Sequence, residues 1–371
     1  MAQERKKTRI VLASILKPVD DTRMFEKMAK TLATSGFDIH IIGYNAAATP
    51  VTSDITLYPI KPFSRLSIQR VLAKWKVFLF AVRLRPDIFI ITTHELLVPA
   101  VWMKVLLPVK VIYDIRENYY RNLLYSGSFP APLRLPLALL VRWKEKLLAP
   151  AIDHFLLAEK GYETELRFYR ASWTVIENKT VVHTPREKAP APGKVRLLFS
   201  GTLAESTGVF NAITLTKGLF RVDPSISLTI AGYAALKSVR ERILKEVALN
   251  SCIRLTGGDA LVPHDEIVKT IHESDFGIIA YPPSRHTMNS VPTKLFEYLG
   301  AGLPIIVDQR WPWIKRYEAL DPFVIVNFDN IDYSKLLRDL KSERKYVAPN
   351  DVTWDTEAPR LVEAVRQTLN R

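Results

Sequence analysis

Apolar residues fall along this chain in two alternating rhythms. Short runs rich in Ile, Val, Leu and Phe stand at 10–16, 39–43, 88–91, 109–114, 154–158 and 173–176. Between them, segments near 22–35, 67–84, 133–148 and 159–169 repeat their apolar positions every three to four residues. Runs of four to seven apolar residues suit strands covered on both faces, and the amphipathic stretches suit the helices that cover them, so the alternation predicts a parallel sheet wound on both sides. The second half repeats the pattern, with strands at 195–200, 227–231, 253–256, 276–280, 304–307 and 323–326 and helices between. Neither rhythm survives at 184–194, where Pro185, Pro190, Pro192 and Gly193 gather among charges. The pattern predicts an α/β protein with a doubly wound domain over 1–184, a linker over 185–194, a second such domain over 195–356, and a C-terminal helix over 357–371 that fits either half.

Composition narrows the class. The chain has 371 residues, 48% of them hydrophobic and 24% charged, which suits two packed domains and excludes a disordered or fibrous protein. Cys252 is its single cysteine, so no disulfide forms within the chain and a reducing, cytoplasmic setting is expected. The basic start followed by 10–16 is similar to a leader only until Lys17-Pro18-Val19-Asp20-Asp21 breaks it, and a first buried strand is expected instead. No spanning helix is expected either, because Lys74, Lys76, Arg83, Arg85 and Asp87 interrupt the greasiest region.

Charge adds a further expectation. The net charge is +14, and residues 1–190 hold 29 Lys and Arg against 17 Asp and Glu. Seven cations and no acid lie between Asp54 and Asp87, interleaved with Phe63, Trp75, Phe78 and Phe80. Such a segment suits an anionic membrane surface, with Trp75, Val77, Phe78, Leu79 and Phe80 beneath the headgroups and peripheral attachment on the inner face. Nucleic acid is the weakest partner, since the charge clusters with aliphatic residues and no nucleic-acid motif is present.

Ligands of open α/β sheets bind beyond the carboxyl ends of strands, and two such sheets facing each other enclose a cleft. The first strand-to-helix turn, 14–23, lacks Gly-x-Gly-x-x-Gly, and no Gly-Lys-Ser/Thr loop occurs, which argues against a dehydrogenase or P-loop kinase. The informative segment is 289–304, Asn-Ser-Val-Pro-Thr-Lys-Leu-Phe-Glu-Tyr-Leu-Gly-Ala-Gly-Leu-Pro. Pro292 opens a helix that Gly302 and Pro304 close. The free N–H groups of a helix start attract a diphosphate, Lys294 adds a full charge, and Glu297 one turn further can accept from ribose hydroxyls. The plain alternative is a capped helix with an exposed Glu–Lys pair. His183, His264 and His272 read as surface residues, and no His, Cys or Asp grouping has ligand spacing, so neither a metal nor a cofactor is expected.

With its surroundings this segment resembles the donor-binding motif of the GT-B glycosyltransferases, in particular glycosyltransferase family 4. The residues 275–281, 199–209 and 228–232 resemble the family's neighbouring strands and first turn, Val111-Ile112-Tyr113-Asp114-Ile115-Arg116-Glu117-Asn118 its Tyr-Asp-x-His-Glu segment, and Ile176-Glu177-Asn178 its Ile-x-Asn. The resemblance implies two Rossmann-like domains facing a central cleft and metal-independent sugar transfer with retention from a nucleoside-diphosphate sugar to a glycan or lipid-linked acceptor of the cell envelope. It implies donor contacts at Gly201, Thr202, Ser290, Val291, Pro292, Thr293, Lys294, Glu297 and Arg23, catalytic roles for Arg116, Asn289 and Lys294, and acceptor contacts at Asp21, His94, Glu95, Asp114 and Glu117. Three positions depart from the family. Asn289 replaces the first Glu of Glu-x7-Glu, Thr202 and Thr207 replace cations that grip the diphosphate, and Arg116 replaces a His. Lys294 and Arg23 are the cations expected to compensate. Structural alternatives exist for several of these, with Asp21 as a helix cap and Asp114, Arg116 and Glu117 in internal ion pairs. The departures also admit a non-catalytic nucleotide-sugar-binding protein with the same shell.

Overall fold

The computed structural model describes residues 7–45, 54–63, 67–125, 129–168, 171–181, 193–283, 290–342, 346 and 348–371. The chain forms two compact units, one of residues 1–178 with 354–371 and one of residues 179–353. Residues 185–192 of the expected linker lie outside the described residues.

In the first unit, β1 (Arg9–Pro18), β2 (Asp38–Tyr44), β3 (Ile55–Ile60), β4 (Ile88–Ile91), β5 (Lys110–Ile115), β6 (His154–Leu157) and β7 (Ser172–Val175) form one parallel sheet. Their order is β3-β2-β1-β4-β5-β6-β7, so the winding reverses between β1 and β4. Ile10 pairs with Ile39 on one side and Ile88 on the other, and Ile10, Val11 and Leu12 have no exposed surface. That double coverage is why these strands read as unbroken apolar runs.

Four elements depart from the sequence expectation, one of them the helix Tyr119–Tyr125, which falls in a stretch where no helix is expected. β3 was not expected because Pro59 and a partly exposed middle, 56–59, weaken its signal; at a sheet edge a missing N–H costs no ladder bond. The helix Leu97–Leu106 is apolar on nearly every side and so shows no helical period. The helix expected at 159–169 shortens to Tyr162–Glu165. The C-terminal helix, Ala358–Leu369, belongs to the first unit. Just before it, the Trp354 indole donates to Thr31 Oγ1 at 2.8 Å, and the Glu177 amide donates to Glu357 Oε2 at 3.2 Å.

The second unit holds β8 (Val195–Thr202), β9 (Ile226–Tyr233), β10 (Ile253–Gly258), β11 (Phe276–Ile279), β12 (Ile305–Asp308) and β13 (Phe323–Val326). All pairs are parallel and the order is β10-β9-β8-β11-β12-β13. All six expected strands are present, and the winding reverses between β8 and β11. Two doubly wound parallel sheets with covering helices are the GT-B domain architecture. Among the described residues no helix is long and apolar enough to cross a membrane.

Candidate functional site

At the switch point of the second sheet, β8 ends in a turn that only glycine permits. Gly201 and Gly208 have φ of +95° and +81°, and a Cβ on Gly208 would lie 1.8 Å from the Ala280 carbonyl oxygen just beyond β11. The Thr207 hydroxyl lies 2.7 Å from the Thr202 carbonyl and accepts from the Ala204 amide at 3.1 Å. Thr207 therefore closes the turn where the family resemblance calls for a cation.

The helix Thr293–Gly300 starts at Pro292 and packs Leu295, Phe296 and Leu299 inward. Tyr298 fixes its rotation, since its hydroxyl accepts from the Ser200 amide at 3.1 Å and lies 2.8 Å from Ser200 Oγ. Ser290 and Val291 are half-buried ahead of the helix, and Thr293 is exposed on it. Asn289 lies outside the described residues.

This packing carries Lys294 inside. Its side chain is 5% exposed, and Nζ has no hydrogen-bond partner among the described residues. Nζ lies 3.9 Å from the centre of the Phe199 ring and 5.1 Å from that of Tyr281. Its Cε is 4.0 Å from where a Cβ on Gly201 would stand, beside the glycine turn. Burial pulls the ammonium down to about 7, with Glu297 opposing. The arrangement is a buried amine over two aromatic faces, without a hydrogen-bond partner among the described residues, at the start of a helix. Glu297 is half-buried one turn along. The plain alternative, an exposed Glu–Lys pair, does not hold for Lys294, which is buried. Phe199, Tyr281 and Tyr298 were not expected at the site; Tyr298 lies within the motif, but its sequence gives no sign of the reach to Ser200.

At the switch point of the first sheet, the turn His94–Leu96 follows β4. Glu95 Oε1 lies 2.5 Å from Arg70 Nη2, and Lys144 Nζ lies 2.8 Å from His94 Nδ1. Burial lowers His94 to about 4, so at neutral pH it is uncharged and accepts from Lys144. Burial lowers Lys144 to about 8. Burial would raise the Glu95 carboxyl, but His94 and Arg70 hold it below the usual range. Glu117 accepts from Asn122 Nδ2 at 2.8 Å. Arg70 and Lys144 were not among the expected site residues; Arg70 carries only the signal of the basic segment.

Other assignments change. Sequence reasoning places Arg23 on the diphosphate and Asp114 on the acceptor, but the structure gives both to each other. Arg23 is 1% exposed and Asp114 0%; Arg23 Nε and Nη2 donate to the two carboxylate oxygens at 3.0 and 2.7 Å, and Nη1 donates to the Ile176 carbonyl at 2.9 Å. Asp21 caps its helix by accepting from the Met24 amide at 3.0 Å and pairs with Arg116 at 2.8 Å. Burial would raise Asp21, but Arg116 holds it below the usual carboxylate range. In the basic segment Val77 is core and Phe78 and Phe80 pack on it, so the exposed apolar residues of the helix Ile68–Leu84 are Ile68, Val71, Leu72, Trp75 and Leu79. Among the described residues no group of three His, Cys, Asp or Glu side chains is placed to hold a metal ion.

No model of a known protein family matches the chain, and no curated protein matches it. Solved structures do. A sucrose-phosphate synthase from Thermosynechococcus elongatus is 12% identical with a TM-score of 0.72, over 97% of this chain and 99% of that one. A structure from E. coli described as trehalose-6-phosphate bound with UDP-2-fluoro glucose is 12% identical with a TM-score of 0.61, over 98% and 96%. A UDP-forming alpha,alpha-trehalose-phosphate synthase from Burkholderia xenovorans in complex with glucose-6-phosphate is 10% identical with a TM-score of 0.61, over 97% and 96%. The chain has their fold from end to end.

Proposed function

We propose that this chain is a retaining glycosyltransferase of the family 4 type. It takes a sugar from a nucleoside-diphosphate sugar bound by the second unit and passes it to a lipid-linked or cell-envelope glycan bound by the first. The observation that carries this reading is Lys294, a buried amine without a hydrogen-bonded anion at the start of a helix beside the Gly201 turn. A diphosphate there gains the helix N–H groups and a full positive charge, both of which strengthen as the leaving group acquires charge. The UDP-sugar and UDP-forming descriptions of the structural neighbours favour the same donor chemistry. Glu297 holds the ribose hydroxyls, and Thr202 and 290–293 line the donor. No protein nucleophile is assigned, since the acceptor hydroxyl can be activated by the donor phosphate.

Replacing Glu297 by Ala tests the donor assignment. A carboxylate accepting from two hydroxyls is worth about 1.5–3 kcal/mol, so affinity for the matching nucleoside diphosphate should fall at least tenfold while the unfolding midpoint barely moves. Unchanged affinity in calorimetry removes the assignment. A second reading, a non-catalytic nucleotide-sugar binder, is favoured by Arg116, whose guanidinium pairs with Asp21 where the family has a His. Sugar transfer by the purified chain decides between them.

The same reading makes the protein peripheral on the cytoplasmic face of an anionic membrane. Trp75 and Leu79 are exposed on the helix that carries Lys74 and Lys76, and basic residues at such a surface contribute about 1 kcal/mol each. Co-sedimentation with liposomes should require anionic lipid, weaken steeply with salt, and drop when Lys74 and Lys76 become Glu. Protein that stays in the supernatant at low salt points to a soluble acceptor.

A further inference from the structure

Two cavities adjoin at the switch point of the first sheet, and their walls differ in chemistry. The smaller, about 500 Å³, is bordered by Lys17, Thr92, Thr93 and Arg116 at the carboxyl ends of β1, β4 and β5. The larger, about 820 Å³, runs between the helices Ile68–Leu84 and Ala131–Leu148 and is walled by Val71, Val98, Leu137, Leu140, Trp143 and Leu147. Leu16, Arg70, Glu117 and Tyr119 belong to both walls, so the two form one trough, polar at the sheet edge and apolar between the helices. Lys17 and Arg116 line the junction on one side, Lys144 on the other, and Arg70 stands in the shared wall; of their acids, Glu117 shares that wall, Glu95 on the larger cavity pairs with Arg70, and Asp21 pairs with Arg116, so four cations face three carboxylates there.

We infer that this trough binds a lipid phosphate, with the hydrocarbon chain in the larger cavity, the phosphate at the cationic junction, and the sugar-accepting end in the smaller cavity. The inference rests on the glycosyltransferase reading for the role of that end, and it specifies the acceptor class. A soluble sugar phosphate leaves the apolar walls unused. Each cavity lies within the size range that engulfs an organic ligand of drug size, and a wall of Leu, Val and Trp exposed to water is stabilised by a chain that covers it. Leu140 and Trp143 are 58% and 61% exposed, so the apolar end opens outward on the side where the chain of a membrane lipid can enter.

Calorimetric titration of the full chain with farnesyl phosphate, kept below the concentration at which it self-associates, tests the inference. One saturable site is expected, with farnesol at least tenfold weaker and inorganic phosphate unable to compete. Leu140→Glu should weaken farnesyl phosphate at least tenfold with an unchanged unfolding temperature. Leu139→Glu, 52% exposed but outside the cavity wall, should change it less than twofold. Absence of saturable binding overturns the inference. So do equal losses in the two variants, the behaviour of a surface that merely contacts bilayers, or full displacement by glucose 6-phosphate alone. A parallel titration with nucleoside diphosphates separates this from the transferase reading. Farnesyl phosphate binding without any nucleotide binding supports the trough and removes the donor site; nucleotide binding without farnesyl phosphate binding does the reverse.

Discussion

Replacing Lys294 by Met is expected to stabilise the second unit while removing most of the affinity for nucleoside diphosphates. The two effects share one cause. A buried ammonium without a hydrogen-bonded anion destabilises the fold, and an apolar residue of similar volume in place of buried charge is neutral or stabilising by about 1–4 kcal/mol. The same ammonium becomes an asset once a diphosphate supplies the missing anion, so its loss should weaken nucleoside diphosphates tenfold to a hundredfold and the bare nucleoside far less. The pH dependence has a definite sign. With the free amine near 7, it is already charged below pH 7, whereas above pH 7 binding must draw a proton from solvent. Affinity should therefore fall as pH rises above 7, by up to tenfold per unit, and the variant should lose this slope. Calorimetry in buffers of different ionisation enthalpy measures the proton uptake directly. Equal losses for nucleoside and diphosphate, or a pH slope retained in the variant, would sink the assignment.

What the sequence made legible follows from how local each signal is. The strands of both sheets are visible because a strand covered on both faces must be apolar at every position, and only the edge strand β3, with Pro59, escaped. The motif at 289–304 is legible as a helix start because Pro292 and Gly302 act on their own backbone. Whether Lys294 points outward or inward is not, since that depends on Tyr298 reaching Ser200, 98 residues away. The misplacement of Arg23 has the same origin. A cation near the first strand-to-helix turn looks like a phosphate ligand until its partner is known, and that partner is 91 residues distant. The trough of the first unit is legible only in parts: His94, Glu95 and Glu117 stand out as polar residues at strand ends, but the apolar wall reads as an ordinary amphipathic helix. The outward leucines of the helix Ala131–Leu148, Leu139, Leu140 and Leu147, are each more than half exposed, and nothing local distinguishes them from core positions.

The Arg23–Asp114 pair carries the largest expected effect on folding. Both side chains are inaccessible, and the guanidinium joins the end of β5 to the helix after β1 while its third donor holds the Ile176 carbonyl. Replacing Arg23 by Ala leaves a carboxylate buried without its cation, and replacing Asp114 by Ala leaves a buried guanidinium. Either loss costs about 3–5 kcal/mol, a large share of the 5–15 kcal/mol by which domains are stable. Exchanging both for apolar residues of similar volume should cost far less than the two single losses together, because no charge is then stranded. Denaturant unfolding of the two single variants and the double variant measures this coupling. The result also separates the two roles proposed for Arg23. A diphosphate ligand would leave the single variant well folded but unable to bind nucleotide. A structural partner of Asp114 lowers the stability of the first unit and leaves nucleoside diphosphate affinity within a few-fold of the parent wherever the protein is folded. A stable Arg23→Ala variant that fails to bind nucleotide would return Arg23 to the donor site.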